Sequence, residues 1–235
     1  MHERLLLFDI DGTLIRCNGA GMVAMQRAVR SSLGAEVDAM SIDYAGRLDP
    51  LIMADLLMSA GVDSTRQAID SFRAAYRREL IALFESGEGR AVVLPGVLES
   101  LDALFRENSI ATGLLTGNLE ATGGYKLRAA GIEPGRFHVR VWGDESPHDL
   151  PSRNHLPEIG LARWSQLTGR PADASRAIVI GDTPHDVACA KAHACRSLAV
   201  ATGRFSVEEL QHAGADLAVA DLSDVETTLR WMLHD

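Results

Sequence analysis

The chain contains several short, nearly continuous apolar runs, most of which end in a small or acidic residue. Such runs are typical of parallel strands that are buried on both faces of a sheet. Helical patterns lie between most of them, and this alternation predicts an α/β fold with a doubly wound, Rossmann-like parallel sheet. The predicted strands are residues 4–9, 110–116, 139–143, 177–181, 197–201 and 216–220, and the predicted helices are residues 96–107, 119–130, 158–167 and 184–192.

The connection between the first two strands is much longer than the others. About 100 residues separate these strands, whereas a simple crossover needs only a dozen or more. Residues 17–89, which we call the insert, show three helical patterns and no convincing strand, with Ser64 as the expected N-cap of the third. Glycine-containing segments bracket the insert. We therefore predict a core of residues 1–16 and 90–235 and an inserted all-helical domain of residues 17–89, with helices at 22–33, 50–60 and about 65–85.

Composition excludes several classes of protein. Of 235 residues, 46 % are hydrophobic and 23 % are charged, which is a globular balance. The net charge of −9 makes the average surface repel nucleic acid and anionic lipid. No run approaches the roughly 20 apolar residues of a membrane span, and three cysteines are too few for a disulfide framework. We expect a cytoplasmic protein without nucleic-acid or membrane partners, and monomer and dimer are both open.

Acidic residues lie at the carboxyl ends of two predicted strands. Asp9 ends the first strand and Asp11 lies two residues later, and Asp182 and Asp186 follow the strand at 177–181. Open α/β sheets bind ligands at the carboxyl ends of their strands. Each acid could instead cap a turn or helix, and Asp182 or Thr183 could be the N-cap of the following helix. Acids gathered at two strand ends would repel one another unless a cation lay between them, and oxygen ligands suit Mg²⁺.

A third polar segment lies at the end of the strand predicted at 110–116. Thr116, Gly117 and Asn118 offer a hydroxyl, a flexible backbone and an amide where the next helix begins. These donors suit phosphate oxygens. The alternative is that Thr116 or Asn118 simply caps that helix.

Taken together, these motifs resemble those of the haloacid dehalogenase (HAD) superfamily phosphatases with a helical cap, in the phosphoglycolate-phosphatase-like branch. The matching segments are Asp9-x-Asp11-Gly12-Thr13, Thr116-Gly117-Asn118 and Gly181-Asp182-x-x-x-Asp186. The resemblance implies that Asp9 is the nucleophile and that Asp11 is the general acid and then the general base. It also implies that Thr116 and the Gly117 amide hold the phosphoryl group.

The same resemblance implies a metal site and a further cation. Mg²⁺ would be held by the Asp9 carboxylate, the Asp11 backbone carbonyl and Asp182, with Asp186 close by or acting through water. The superfamily usually places a lysine between the third and fourth strands. Segment 144–175 has no lysine, and of its arginines we expect Arg153 to take this role, with a solvated loop arginine as the alternative.

The expected function is Mg²⁺-dependent hydrolysis of a small phosphorylated metabolite, a phosphomonoester, through an aspartyl-phosphate. A phosphomutase using the same aspartates is one alternative, and a non-catalytic binding or regulatory module on the same fold is another. Within the insert, Arg47 and Asp49 are candidates for substrate contact, although Asp49 before Pro50 also fits a helix N-cap.

Overall fold

A computed structural model of the protein describes residues 2–234 as an α/β fold. The strands are β1 (Arg4–Phe8), β2 (Ile15–Arg16), β3 (Val92–Val93), β4 (Ile110–Leu115), β5 (Val139–Val141), β6 (Ala177–Gly181), β7 (Arg196–Val200) and β8 (Leu217–Val219). The α-helices are α1 (Ala20–Leu33), α2 (Asp49–Ser59), α3 (Arg66–Glu85), α4 (Val97–Leu104), α5 (Glu120–Ala129), α6 (Leu156–Thr168), α7 (Pro184–Ala192), α8 (Val207–His212) and α9 (Val225–His234).

Six strands form one parallel sheet in the order β5-β4-β1-β6-β7-β8, which confirms the predicted Rossmann-like core. The central strand β1 pairs with β4 on one side and β6 on the other. Leu6 and Phe8 belong to one apolar cluster, and Leu5 and Leu7 belong to another, because successive side chains of a strand point to opposite faces. Helices therefore cover both faces of β1, and its residues from Leu5 onward are fully buried.

The insert contains α1, α2 and α3, and most of their buried apolar residues form one cluster, which Leu119 of the core also joins. Its largest fully buried side chains include Phe72 and Tyr76 of α3. The expected N-cap Ser64 is wrong by one residue, since Thr65 Oγ1 accepts a hydrogen bond from the Ala68 amide at 3.2 Å. That hydroxyl satisfies an amide that lacks a partner within the helix. We retain residues 17–89 as the proposed helical domain.

A two-stranded antiparallel ribbon joins the two ends of the insert. Ile15 pairs with Val93 and Arg16 pairs with Val92, so β2 leaves the core beside the point where β3 returns to it. Sequence patterns do not predict this ribbon, because two residues are too few to show a strand period.

The insert also touches the core at the end of β4. The Asp49 amide donates to the Gly117 carbonyl at 2.7 Å, and Asp49 Oδ2 accepts from the Leu119 amide at 3.1 Å. A Cβ at Gly117 would overlap the Arg47 carbonyl oxygen, so only glycine allows this approach. Within residues 2–234, no helix has both the length and the apolar character needed to cross a membrane.

The Asp49 contact gives a prediction for stability. Burial raises the pKa of Asp49 from 3.8 to about 6. Between those pH values the folded chain holds more protons at Asp49 than the unfolded chain, so the contribution of Asp49 to stability falls as pH rises. An asparagine side chain cannot ionise, so Asp49→Asn should gain unfolding free energy relative to wild type from pH 4 to 6, by up to about 3 kcal/mol, and then level off.

Urea unfolding of both proteins at several pH values measures this difference. Asp70→Asn, at an exposed position of α3, is the matched control and should show no such trend. A difference for Asp49→Asn that does not change with pH would contradict the buried, raised-pKa carboxyl.

Candidate active site

A cavity of about 340 Å³ lies between the carboxyl ends of the core strands and the insert. This is the edge where open α/β sheets place ligands. Asp186 is not in the cavity wall, but it contacts Arg153, which is. The site residues predicted from the sequence that line the cavity are Asp9, Asp11, Arg47, Asp49, Thr116, Gly117, Asn118, Arg153 and Asp182.

Three buried carboxylates meet at the ends of neighbouring strands. Asp9 follows β1, Asp182 follows β6, and Asp186 lies in the first turn of α7, and each offers an oxygen within 4.8 Å of the others. Burial, together with repulsion from Asp186 and Asp9, raises the pKa of Asp182 to about 8. Burial also raises the pKa of Asp9 to about 6, although Arg153 opposes this. An all-oxygen donor set with excess negative charge fits a divalent cation such as Mg²⁺.

Asp186 is the most constrained of the three acids. Its Oδ2 accepts from the Thr183 amide at 3.0 Å and from Thr183 Oγ1 at 2.7 Å, which completes a capping box at the start of α7. Its Oδ1 accepts from Arg153 at 2.5 Å. Thr183 is therefore the N-cap, and Asp182 is free of that role. Because both Asp186 oxygens already have donors, Asp186 suits an indirect role at a metal site better than direct ligation.

Arg153 lies in a single 3₁₀ turn directly before α6, with a side chain only 5 % exposed. Its Nη2 is 3.2 Å from Asp9 Oδ2, and its Nε is buried without a partner among the described residues. Burial works against its charge, but Asp186 and Asp9 outweigh this and raise the pKa of Arg153. The same segment contains two further arginines: Arg163 pairs with Glu145, Arg170 is exposed, and neither lines the cavity.

The Thr116-Gly117-Asn118 segment connects β4 to α5. Asn118 Nδ2 donates to Thr116 Oγ1 and to Asp11 Oδ2, each at 2.9 Å. The N-cap of α5 is Leu119, which makes no side-chain cap, and its amide donates to Asp49 instead. Thr116 and Asn118 thus face the cavity and do not cap the helix.

Lys126 is a cavity residue that sequence reasoning missed. Its Nζ donates to Asp11 Oδ2 at 2.7 Å and to Asn118 Oδ1 at 2.8 Å. Burial alone would raise the pKa of Asp11, but the Lys126 ammonium and the hydrogen bonds to Asp11 lower it overall. A lysine in a helix usually indicates a solvated face. The available signal was spacing, since Thr122 and Lys126 are four residues apart and share a helix face that begins just after Asn118.

The two candidate substrate residues of the insert line the cavity, and each side chain already contacts another part of the protein. Arg47 pairs with Asp55 at 2.8 Å and donates to the Asp43 carbonyl. Asp49 lies at the first position of α2 and accepts from the Leu119 amide, so it does not cap its own helix. Substrate contact by either residue stays a prediction.

Comparisons with known proteins agree with this geometry. A "Probable phosphatase IndB" of Dickeya dadantii is 26 % identical, over 94 % of this chain and 91 % of that protein. A phosphoglycolate phosphatase of Rhodospirillum rubrum is 28 % identical, over 93 % and 87 %. The fold matches CbbY from Rhodobacter sphaeroides, solved with phosphate, with a TM-score of 0.71 at 21 % identity over 96 % of each chain. These likenesses confirm the resemblance inferred from the motifs. Since the family profile of haloacid dehalogenase-like hydrolases matches residues 6–191, the chain belongs to that family of hydrolases.

Proposed function

We propose that the protein is a Mg²⁺-dependent phosphatase that hydrolyses a phosphomonoester of a small metabolite through an aspartyl-phosphate on Asp9. The observation that carries this proposal is the buried cluster of Asp9, Asp182 and Asp186 beside Arg153, at the base of a cavity. The cavity volume of about 340 Å³ suits a small molecule. The phosphatase names of the sequence relatives support a phosphorylated substrate.

In the first step, an Asp9 oxygen attacks phosphorus while the bond from phosphorus to the ester oxygen breaks. Thr116, the Gly117 amide and Arg153 would hold the phosphoryl oxygens and offset their growing charge. Asp11 gives its proton to the departing alkoxide. In the substrate-free protein, Lys126 favours the carboxylate form of Asp11, but the negative charge of an incoming phosphate favours its protonation.

In the second step, water attacks phosphorus, Asp11 accepts a proton from that water, and the bond between phosphorus and Asp9 breaks to release phosphate. The carboxylates of Asp9 and Asp182 and the Asp11 backbone carbonyl would hold Mg²⁺, with Asp186 acting through water. When bound, Mg²⁺ supplies positive charge that offsets the phosphoryl oxygens and the clustered acids.

Asp9→Asn tests the covalent step. The variant keeps nearly the same shape but loses the nucleophile, so kcat/KM for p-nitrophenyl phosphate should fall by at least ~10³-fold with the fold intact. Asp70→Asn is the control and should match wild type. Comparable turnover by Asp9→Asn would exclude the covalent proposal. If wild type transfers the phosphoryl group to a second hydroxyl of a sugar phosphate without releasing phosphate, the phosphomutase alternative is favoured.

Metal removal tests the carboxylate cluster. EDTA should abolish turnover, and added Mg²⁺ should restore it. Binding can be measured without activity, because a cation that relieves repulsion among the acids should raise the unfolding temperature of the wild type. Asp182→Asn should lose this Mg²⁺-dependent rise, whereas Asp70→Asn should keep it. Undiminished activity after exhaustive chelation would rule out the metal site.

Arg153 variants test the cation beside Asp9. Arg153→Lys should retain part of the activity because it keeps the charge, and Arg153→Ala should lose ~10²-fold or more in kcat/KM. Thermal unfolding checks that the alanine variant is folded, since it leaves buried acids without a partner. Arg170→Ala, an exposed arginine of the same segment, is the control. Full activity in Arg153→Ala would assign the role to another residue.

A further inference from the structure

Lys126 is buried in the wall of the cavity, and the reaction described above does not use it. The side chain is 5 % exposed, whereas the partner Asp11 side chain is 40 % exposed. Removing an ammonium from water is costly, and a buried ion pair is often no more stable than well-packed apolar residues. Stability is therefore a weak reason for a lysine at this position, and its contacts indicate a role in the site.

The contacts of Lys126 determine the orientation of the Asn118 amide. Nζ donates to Asn118 Oδ1 at 2.8 Å, which leaves Asn118 Nδ2 to donate to Asp11 Oδ2 and Thr116 Oγ1. If the amide were reversed, its NH₂ group would face the ammonium and its oxygen would face the Asp11 carboxylate. Both contacts would then be repulsive, so the lysine selects one orientation.

Lys126 also fixes Asp11 directly. Asp11 Oδ2 accepts from Lys126 at 2.7 Å and from Asn118 at 2.9 Å, so two donors from the core hold one oxygen. Asp11 Oδ1 takes part in neither of these two contacts. Two charge-assisted hydrogen bonds restrict the carboxylate far more than one neutral contact would.

The insert covers this arrangement. A Cβ built on Gly21 would lie 3.4 Å from both Lys126 Nζ and Tyr76 Oη, so these two polar atoms converge where α1 and α3 meet the core. Burial also raises the pKa of Tyr76, which keeps its phenol neutral beside the ammonium. Water is thus largely excluded from Lys126, which strengthens its hydrogen bonds.

We propose that Lys126 is a positioning residue that holds Asp11 and the Asn118 amide in the geometry needed at the departing oxygen. This inference rests on the proposed function, because it assigns Lys126 to the leaving-group side of the phosphatase reaction. Lys126 does not touch phosphorus. Its loss should therefore affect the turnover rate more than substrate binding, and should affect esters with poor leaving groups most.

The test compares Lys126→Met, Lys126→Arg and wild type on p-nitrophenyl phosphate, a good leaving group, and on glycerol 2-phosphate, a poor one. For Lys126→Met, kcat on glycerol 2-phosphate should fall ~10²-fold, kcat on p-nitrophenyl phosphate should fall less than ~10-fold, and KM should change less than ~3-fold. Lys126→Arg should recover part of the loss, since it keeps the charge. Lys191→Met, which alters the chain's other lysine, should match wild type.

Each outcome decides between positioning and its alternatives. Equal losses on both esters, together with a lower unfolding temperature, would make Lys126 a structural residue and overturn the proposal. Unchanged kinetics in Lys126→Met would overturn it as well, and wild-type turnover of both esters would leave the proposed function standing. If the wild type releases phosphate from neither ester nor from other phosphorylated metabolites, the proposed function fails and the positioning role fails with it.

Discussion

Negative charge is concentrated where β1 and β6 end side by side. Phe8 is paired in parallel with Ile180, so the acids that follow these two strands cannot lie apart. Asp9, Asp182 and Asp186 consequently share one buried site, and repulsion among them must be offset by positive charge. Arg153 supplies part of that charge. The backbone at Gly12 and Gly203 also lies close to the Asp182 carboxylate, because a Cβ at either position would overlap it.

The contact between insert and core uses the same segment that we expect to hold phosphate. The Asp49 amide and carboxylate bind the backbone at Gly117 and Leu119, and Arg153 donates to the Gly46 carbonyl. The same hydrogen bonds therefore hold the insert over the cavity and fix the backbone of the proposed phosphate-binding loop. A shift of residues 46–49 would remove the partner of the Leu119 amide at the start of α5 and one partner of Arg153, so the position of the insert and the geometry of the loop are coupled.

The features that the sequence predicted are those that depend on local patterns. The strand β6 and the helix α7 match the predicted residues 177–181 and 184–192, because an apolar run and a proline at the first helical position are local signals. Because β1 and β6 are parallel neighbours, the acids at their carboxyl ends are expected to lie close together, and they do. The position of Arg153 came from its place in the motif order, and the structure puts it against Asp9.

The features that the sequence did not predict depend on contacts between distant segments. Lys126 binds Asp11, which lies far away in the chain. Asp49 accepts a hydrogen bond from the Leu119 amide and does not cap its own helix. Four-residue spacing from Thr122 marks the face of α5 on which Lys126 lies, but it does not show that Asp11 contacts that face. The Ser64 prediction failed for a different reason, because adjacent Ser64 and Thr65 offer equivalent hydroxyls and only backbone geometry selects one.

The ribbon of β2 and β3 brings the two covalent connections of the insert side by side. The chain leaves at Arg16 and returns at Val92, and these two residues are paired with each other. An added unit whose two ends are neighbours can grow, shrink or be exchanged without separating the strands of its host. The pairing of β1 with β4 and β6 can therefore persist when the helices of the insert change, provided that residues 46–49 keep their contacts with the core.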